Sequence, residues 1–191
     1  MSDHYLKRVL VITGSPRKES KSARLAIHLY ERMKQEDGYE VSLLDVRDVK
    51  LPQFETVFET VETTPEVFRS DAEKFLRADA YIVVTPEYNG SYTSALQNLF
   101  DHFPRQQRKV YGVVTATNGS MGGMRASQQL LLFIIALFGI ASPYMLITPY
   151  VDKKFDENGV LIDESFKPKI DFFLDQFKWL VSKIGTQSIN P

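Results

Sequence analysis

The chain has 191 residues, 43% of them hydrophobic and 25% charged, which suits one soluble globular unit over 1–191 and leaves little room for extended disorder. Its 23 basic and 24 acidic residues give a net charge of -1, so no positive field invites a nucleic-acid backbone or an anionic membrane. With no cysteine, disulfides, thiolate metal sites, iron–sulfur clusters and cysteine nucleophiles are excluded.

Residues 1–8 carry His4, Lys7 and Arg8 around Tyr5 and Leu6, and the apolar stretch that follows is too short for a secretory segment. A cytoplasmic location is therefore expected. Strands appear as β-branched runs bounded by turn residues at 8–13, 40–46, 80–85 and 109–115, with a fifth expected at 144–148. Helical periodicity marks 22–35, 65–77, 94–103, 122–139 and 167–184, several with a polar start and a glycine stop. Strands and helices alternate, which predicts crossovers that build a parallel sheet covered by helices on both faces. The least regular parts are 48–64 and 152–163, and Asn158-Gly159 marks the second as a small hairpin. The uncharged run LLLFIIALFGI at 130–140 falls short of the roughly 20 residues that cross a bilayer. It reads either as a deeply buried helix or, being apolar nearly all round, as one that extends into an interface between copies.

Open parallel sheets bind ligands beyond the carboxyl ends of their strands, which directs attention to three loops. After the first strand, Gly14-Ser15-Pro16-Arg17-Lys18-Glu19-Ser20-Lys21-Ser22 leads directly into a helix. Hydroxyls, backbone N–H groups, the positive end of the helix and the Arg17 cation suit a phosphate, while Ser20 or Ser22 also suits a plain helix cap. Neither G-x-G-x-x-G nor G-x-x-x-x-G-K-[ST] can be written here, which weakens a dinucleotide-fold or nucleotide-hydrolase reading. After the third strand, Thr85-Pro86-Glu87-Tyr88-Asn89-Gly90-Ser91-Tyr92 combines a restricted turn, an Asn-Gly step that favours positive φ, and two aromatic rings. Such a loop can face a flat heteroaromatic ring or simply turn the chain. After the fourth strand, 117–126 holds three glycines that permit a close backbone approach to a ligand or a flexible turn.

The three segments G-S-x-R-x-x-S at 14–20, P-E-Y-N-G-S at 86–91 and G-x-x-G-G-x-R-A at 119–126 each follow a predicted strand. Through them the stretch 10–148 resembles the NADPH-dependent FMN reductase family, with its quinone, azo-dye and chromate reductases. The resemblance implies a flavodoxin-like three-layer sandwich whose five-stranded parallel sheet runs in the order 2-1-3-4-5. It further implies that Ser15, Arg17, Ser20 and Ser22 hold the phosphate of bound FMN, Ser22 standing where many relatives have Asn. The ring is then expected against Pro86, Glu87, Tyr88, Asn89 and Gly90, with Ser120, Gly122 and Gly123 near the flavin or its ribityl chain. NADPH, or NADH, is the implied electron donor, and a small molecule such as a quinone, free flavin, azo compound or metal oxyanion the acceptor. A homodimer or homotetramer is implied as well.

Redox chemistry of this kind resides in the cofactor, so no catalytic side chain is nominated. His4, His28 and His102 are scattered rather than gathered at strand ends and read as surface residues. Asp152, Asp156 and Asp163 miss the calcium-loop spacing and read as a solvated loop, so no metal is expected. Two other roles stay open: a flavodoxin-like electron carrier, which the net charge of -1 argues against, and a redox-sensing flavoprotein that regulates a partner.

Overall fold

Strand β1 (Lys7–Thr13) turns Val9 and Val11 into one hydrophobic cluster and Leu10 and Ile12 into another. Period-two alternation with apolar residues on both sides requires cover on both faces. The computed structural model, which describes residues 6–184, supplies that cover.

Strands β2 (Tyr39–Asp45), β3 (Ala80–Thr85) and β4 (Val110–Ala116) join β1 in parallel, in the order β2-β1-β3-β4. The register sets Thr13 beside Asp45 and Val84, and Thr85 beside Thr115, so the carboxyl ends finish together. The fifth position is filled in two pieces rather than by the expected single strand at 144–148. Strand β5 (Ile140–Ala141) pairs with Val110 and Tyr111, and β6 (Leu146–Thr148) pairs with Val114 to Ala116. Between them lies Pro143, which has no N–H to give to the ladder.

Helix α1 (Ser22–Lys34) follows β1, and the one-turn α2 (Val46–Val49) follows β2. Helices α3 (Arg69–Arg77), α4 (Ser94–Asp101) and α5 (Met124–Ala136) pack through Phe75, Leu99, Phe100, Leu130 and Ile134 on one face of the sheet. Helix α6 (Lys167–Lys183) joins α1 on the other face, through Leu25, Leu29, Phe173 and Phe177. Each fully buried side chain of this size contributes roughly 1.5–3 kcal/mol, which makes the two clusters the main support of the platform. No helix of the described residues is long and apolar enough to cross a membrane.

Three expectations change. Helix α5 starts at Met124 rather than at Gly122, because Gly122 and Gly123 both adopt left-handed φ values, 63° and 89°. Nor is this helix buried all round: Leu132 and Ile135 are 61% and 66% exposed on its outer face. Among the histidines, His102 is buried under Phe54 and Phe58 with its Nδ1 2.7 Å from the Asn98 carbonyl, and His28 is half-buried. His28 lies on α1 and His102 just past the end of α4, both covered by loops that helical periodicity does not reveal; His4 lies outside the described residues. The hairpin around Asn158-Gly159 does form, with Phe155 bridged to Leu161, and it lies on α1 through Arg24 and His28.

Candidate functional site

The loop after β1 is anchored at its root. The Gly14 N–H donates to the Val84 carbonyl at 2.8 Å, and the Gly14 carbonyl accepts from Thr93 Oγ1. Thr93 Oγ1 in turn accepts from the Leu96 N–H at 3.1 Å and so caps α4. Beyond this root, Ser15 is buried, and its Oγ accepts from the Arg17 N–H at 3.4 Å. Ser20 Oγ accepts from the Ala23 N–H at 3.2 Å and lies 3.1 Å from Ser22 Oγ, so it serves the helix start as well. The residue at the capping position is Lys21, whose side chain makes no cap bond, and the first turn of α1 holds no acidic residue. The first turn of α1 therefore carries no carboxylate of its own, and Arg17, Lys18 and Glu19 stand exposed beside it.

The loop after β3 is a two-residue hairpin. Tyr88 and Ser91 exchange backbone hydrogen bonds of 2.9 and 3.1 Å across Asn89 (φ 52°) and Gly90 (φ 82°). Two successive positive φ values define a type I′ turn, the reason for Asn-Gly at these positions. The hairpin projects Tyr88 toward the phosphate-type loop: its hydroxyl lies 3.3 Å from Ser15 Oγ, and the Arg17 guanidinium sits 4.5 Å from its ring centre. Ser15, Arg17 and Tyr88 are thus brought together from loops 73 residues apart.

Glu87 points the other way. Its Oε2 accepts from the N–H groups of Arg125 and Ala126 at 3.1 and 3.3 Å, and its Oε1 lies 3.6 Å from the Arg125 guanidinium. It ties the hairpin to the start of α5. In the loop after β4, a Cβ added to Gly122 would lie 2.8 Å from Ile147, and one added to Gly123 would lie 2.8 Å from Thr115. These two glycines let the loop pack onto the protein itself, while Ser120 and Met121 stand exposed on its outer turn. Beneath, the buried hydroxyls of Thr115 and Thr148 have no partner among the described residues.

Sequence reasoning missed Thr93 and Arg125. A Thr just before a helical run was a legible cap signal, and Arg125 stood inside the third motif without a role. Three acidic residues of 152–163 have structural partners. Asp152 pairs with Lys21 at 3.0 Å, Asp156 Oδ1 accepts from the N–H groups of Asn158 and Val160, and Asp163 pairs with Lys154 at 3.2 Å.

Taken together, an anion-ready helix start, a tight aromatic hairpin and a packed glycine loop at the carboxyl end of a 2-1-3-4-5 sheet define a flavodoxin-like α/β protein. Solved structures carry this fold. The flavoenzyme NAD(P)H:(acceptor) oxidoreductase FerB from Paracoccus denitrificans aligns with 94% of this chain and 100% of its own, at 23% identity and a TM-score of 0.69. A flavodoxin variant from Pseudomonas aeruginosa aligns with 90% of this chain and 99% of its own, at 18% identity and a TM-score of 0.59.

The sequence is more specific. The FMN-dependent NADPH-azoreductase of Staphylococcus aureus strain USA300 is 30% identical over 174 residues, 87% of this chain and 91% of that one. Residues 7–148 match the family model described as NADPH-dependent FMN reductase, and the chain belongs to that family. It is accordingly an NAD(P)H-dependent oxidoreductase of a family whose cofactor is FMN and whose electron donor is NADPH.

Proposed function

We propose that the chain acts over 1–191 as one FMN-binding unit that passes reducing equivalents from NADPH, or NADH, to a small acceptor. The carrying observation is the helix start: α1 has no acidic residue in its first turn and no side-chain cap bond at Lys21, and Arg17 and Ser15 stand beside it. That arrangement fits a dianionic monophosphate, which needs donors and positive charge at one point. Ser15, Ser20 and Ser22 supply hydroxyls, and Arg17 supplies the cation. The hairpin from Pro86 to Gly90 fits the flat ring, because its type I′ turn is rigid and its tyrosine is fixed at both ends. Ser120, Gly122 and Gly123 close the opposite side of the cradle, where the orphaned Thr115 and Thr148 hydroxyls lie below the loop.

Bound FMN supplies a centre that accepts two electrons from a nicotinamide and releases them to an acceptor. The residues of this chain bind that group, hold its ring at the mouth of the loops and leave the outer side to two visitors in turn. An azo compound is the first acceptor to test, on the strength of the azoreductase relative; a quinone, free flavin and metal oxyanion follow.

The outer face of α5 supports assembly. Met121 and Met124 beside the site, then Leu132, Ile135 and Phe138, form an exposed apolar line that starts at the site and follows α5. Pairing of this line with that of a second copy gives at least a homodimer and lets the partner border the acceptor space.

Anaerobic titration of the FMN-loaded protein with NADPH tests the reading. Loss of the visible flavin band at one equivalent of NADPH, and its return on adding an azo dye, is the expected result. Failure to bind FMN defeats the reading; binding without reduction by NADPH or NADH leaves a carrier in its place.

A further inference from the structure

Besides the one-turn α2, which Asp45 caps through the Arg47 N–H, three longer helices begin at the carboxyl end of the sheet, and their first turns are treated differently. Helix α4 is capped by Thr93. Helix α1 carries no acidic residue in its first turn and no cap bond from Lys21. Helix α5 begins after Gly123, which has no side chain to cap it, and is closed instead by Glu87, 38 residues earlier in the chain. A glutamate half-buried between two loops is an uncommon choice for this task, because Ser, Thr, Asp or Asn at the capping position would do it locally and three of those types carry no charge. What Glu87 adds is a link to the hairpin and a full negative charge at a fixed point.

We propose that Glu87 is a positioning residue with two effects: it locks the Tyr88–Ser91 hairpin to α5, and its carboxylate holds the bound flavin at a low reduction potential. The proposal rests on the FMN reading above. Helix dipoles and nearby cations stabilise an anionic reduced ring, and a carboxylate opposes them. At α5 the chain places its own anion on the positive end of the helix, so that end gives the ring less stabilisation than an open helix start would. Arg125 offsets the carboxylate in part; its side chain is 71% exposed and 3.6 Å away, so water screens it more than it screens Glu87. A lower potential makes the reduced enzyme a stronger donor to acceptors that are hard to reduce.

The test compares E87Q, E87A and R125Q with the unaltered protein by FMN titration, by anaerobic equilibration with a reference dye, and by thermal melting without flavin. Glutamine keeps an acceptor oxygen for the Arg125 and Ala126 N–H groups and removes only the charge. E87Q is expected to bind oxidised FMN within about threefold of the unaltered protein, yet to favour reduced over oxidised FMN by up to about tenfold more, a size set by one charge at partly screened range. R125Q is expected to move that preference the opposite way. E87A is expected to lower the melting temperature without flavin and to weaken oxidised FMN binding, because the lock is lost along with the charge. Opposite movement in E87Q and R125Q is something a purely structural contact would not produce. An unchanged preference in E87Q, or movement of both variants in one direction, overturns the proposal. If the unaltered protein binds no FMN, the functional reading fails and this proposal with it; if it binds FMN and only the variants are silent, the proposal alone fails.

Discussion

The Tyr88 hydroxyl lies 3.3 Å from Ser15 Oγ while the Arg17 guanidinium covers the same ring at 4.5 Å, so one aromatic side chain joins the loops after β1 and β3. This contact separates the two duties of the site. A Tyr88→Phe change removes one hydroxyl contact and keeps the ring under Arg17, and its expected cost to FMN affinity is about two- to tenfold, the range of one hydrogen bond. An Arg17→Ala change removes the cation; it should weaken FMN by about tenfold or more and leave riboflavin, which has no phosphate, nearly unaffected. Fluorescence titration with both flavins checks this. Equal losses for FMN and riboflavin in the arginine variant would move the phosphate away from Arg17.

The sheet was readable because β1, β3 and β4 are runs rich in β-branched and other apolar residues, which double-sided burial favours. The split fifth strand was not, since neither the two residues of β5 nor the three of β6 make a run once Pro143 intervenes. Within the site, the Asn89-Gly90 turn was legible from local chemistry alone. The link from Glu87 to Arg125 was not, because no local pattern announces a capping residue supplied by a different loop. The burial of His102 was hidden for a similar reason: the loop that brings Phe54 and Phe58 over it has no periodicity.

The exposed line on α5 carries a prediction about assembly. Leu132 and Ile135 are more than half exposed in the protomer, so replacing both by Asp removes no core contact and should change the stability of one chain by little. The same pair of charges in an apolar interface would be strongly unfavourable. Light scattering on the eluting protein should show a dimer for the unaltered chain and a monomer for Leu132→Asp with Ile135→Asp. An unchanged mass in the double variant would place any interface elsewhere.

His28 joins α1 to the hairpin that follows β6. Its Nδ1 lies 3.1 Å from the Gly159 carbonyl, its ring tilts against Phe155 at 5.1 Å, and its Nε2 is buried without a partner among the described residues. Burial holds its pKa below the ordinary value, aided by Arg32, and the Gly159 carbonyl, Asp171 and Glu164 oppose the shift. The unfolded imidazole takes its proton near the ordinary value of about 6.5, and the folded one only at lower pH. Below about 6.5 the unfolded state therefore binds more protons, and stability falls as pH drops through that window. Hydrogen exchange between pH 7 and 5.5 should show the 155–161 hairpin opening more readily at the lower pH, and a His28→Gln variant should lose most of that pH dependence. A hairpin with the same protection at both values would contradict the assignment.

Lys109 tests the opposite end of the sheet, remote from the flavin loops. Its ammonium enters a largely buried polar cluster, donating to Gln106 Oε1 at 2.6 Å, the Leu76 carbonyl at 3.0 Å and the Tyr81 hydroxyl at 3.3 Å. Burial pushes its pKa from the ordinary 10.5 down to about 8; Asp79 raises it and Arg8 lowers it further. The folded state thus releases this proton near pH 8, while the unfolded chain holds it until about 10.5. Between those values the unfolded state binds more protons, so stability rises with pH, by at most about 1.4 kcal/mol per pH unit. Urea unfolding at pH 7.5, 8.5 and 9.5 should show that rise. Lys109→Met should flatten it while lowering stability at pH 9.5, because Gln106 and the Leu76 carbonyl then lose their donor at a cost of about 1–3 kcal/mol. The slope rather than the absolute stability is the decisive quantity, since methionine also changes the packing against Tyr81. A flat profile in the unaltered protein would mean that this ammonium is hydrated in the folded state, and that the polar cluster admits water at the end of the sheet.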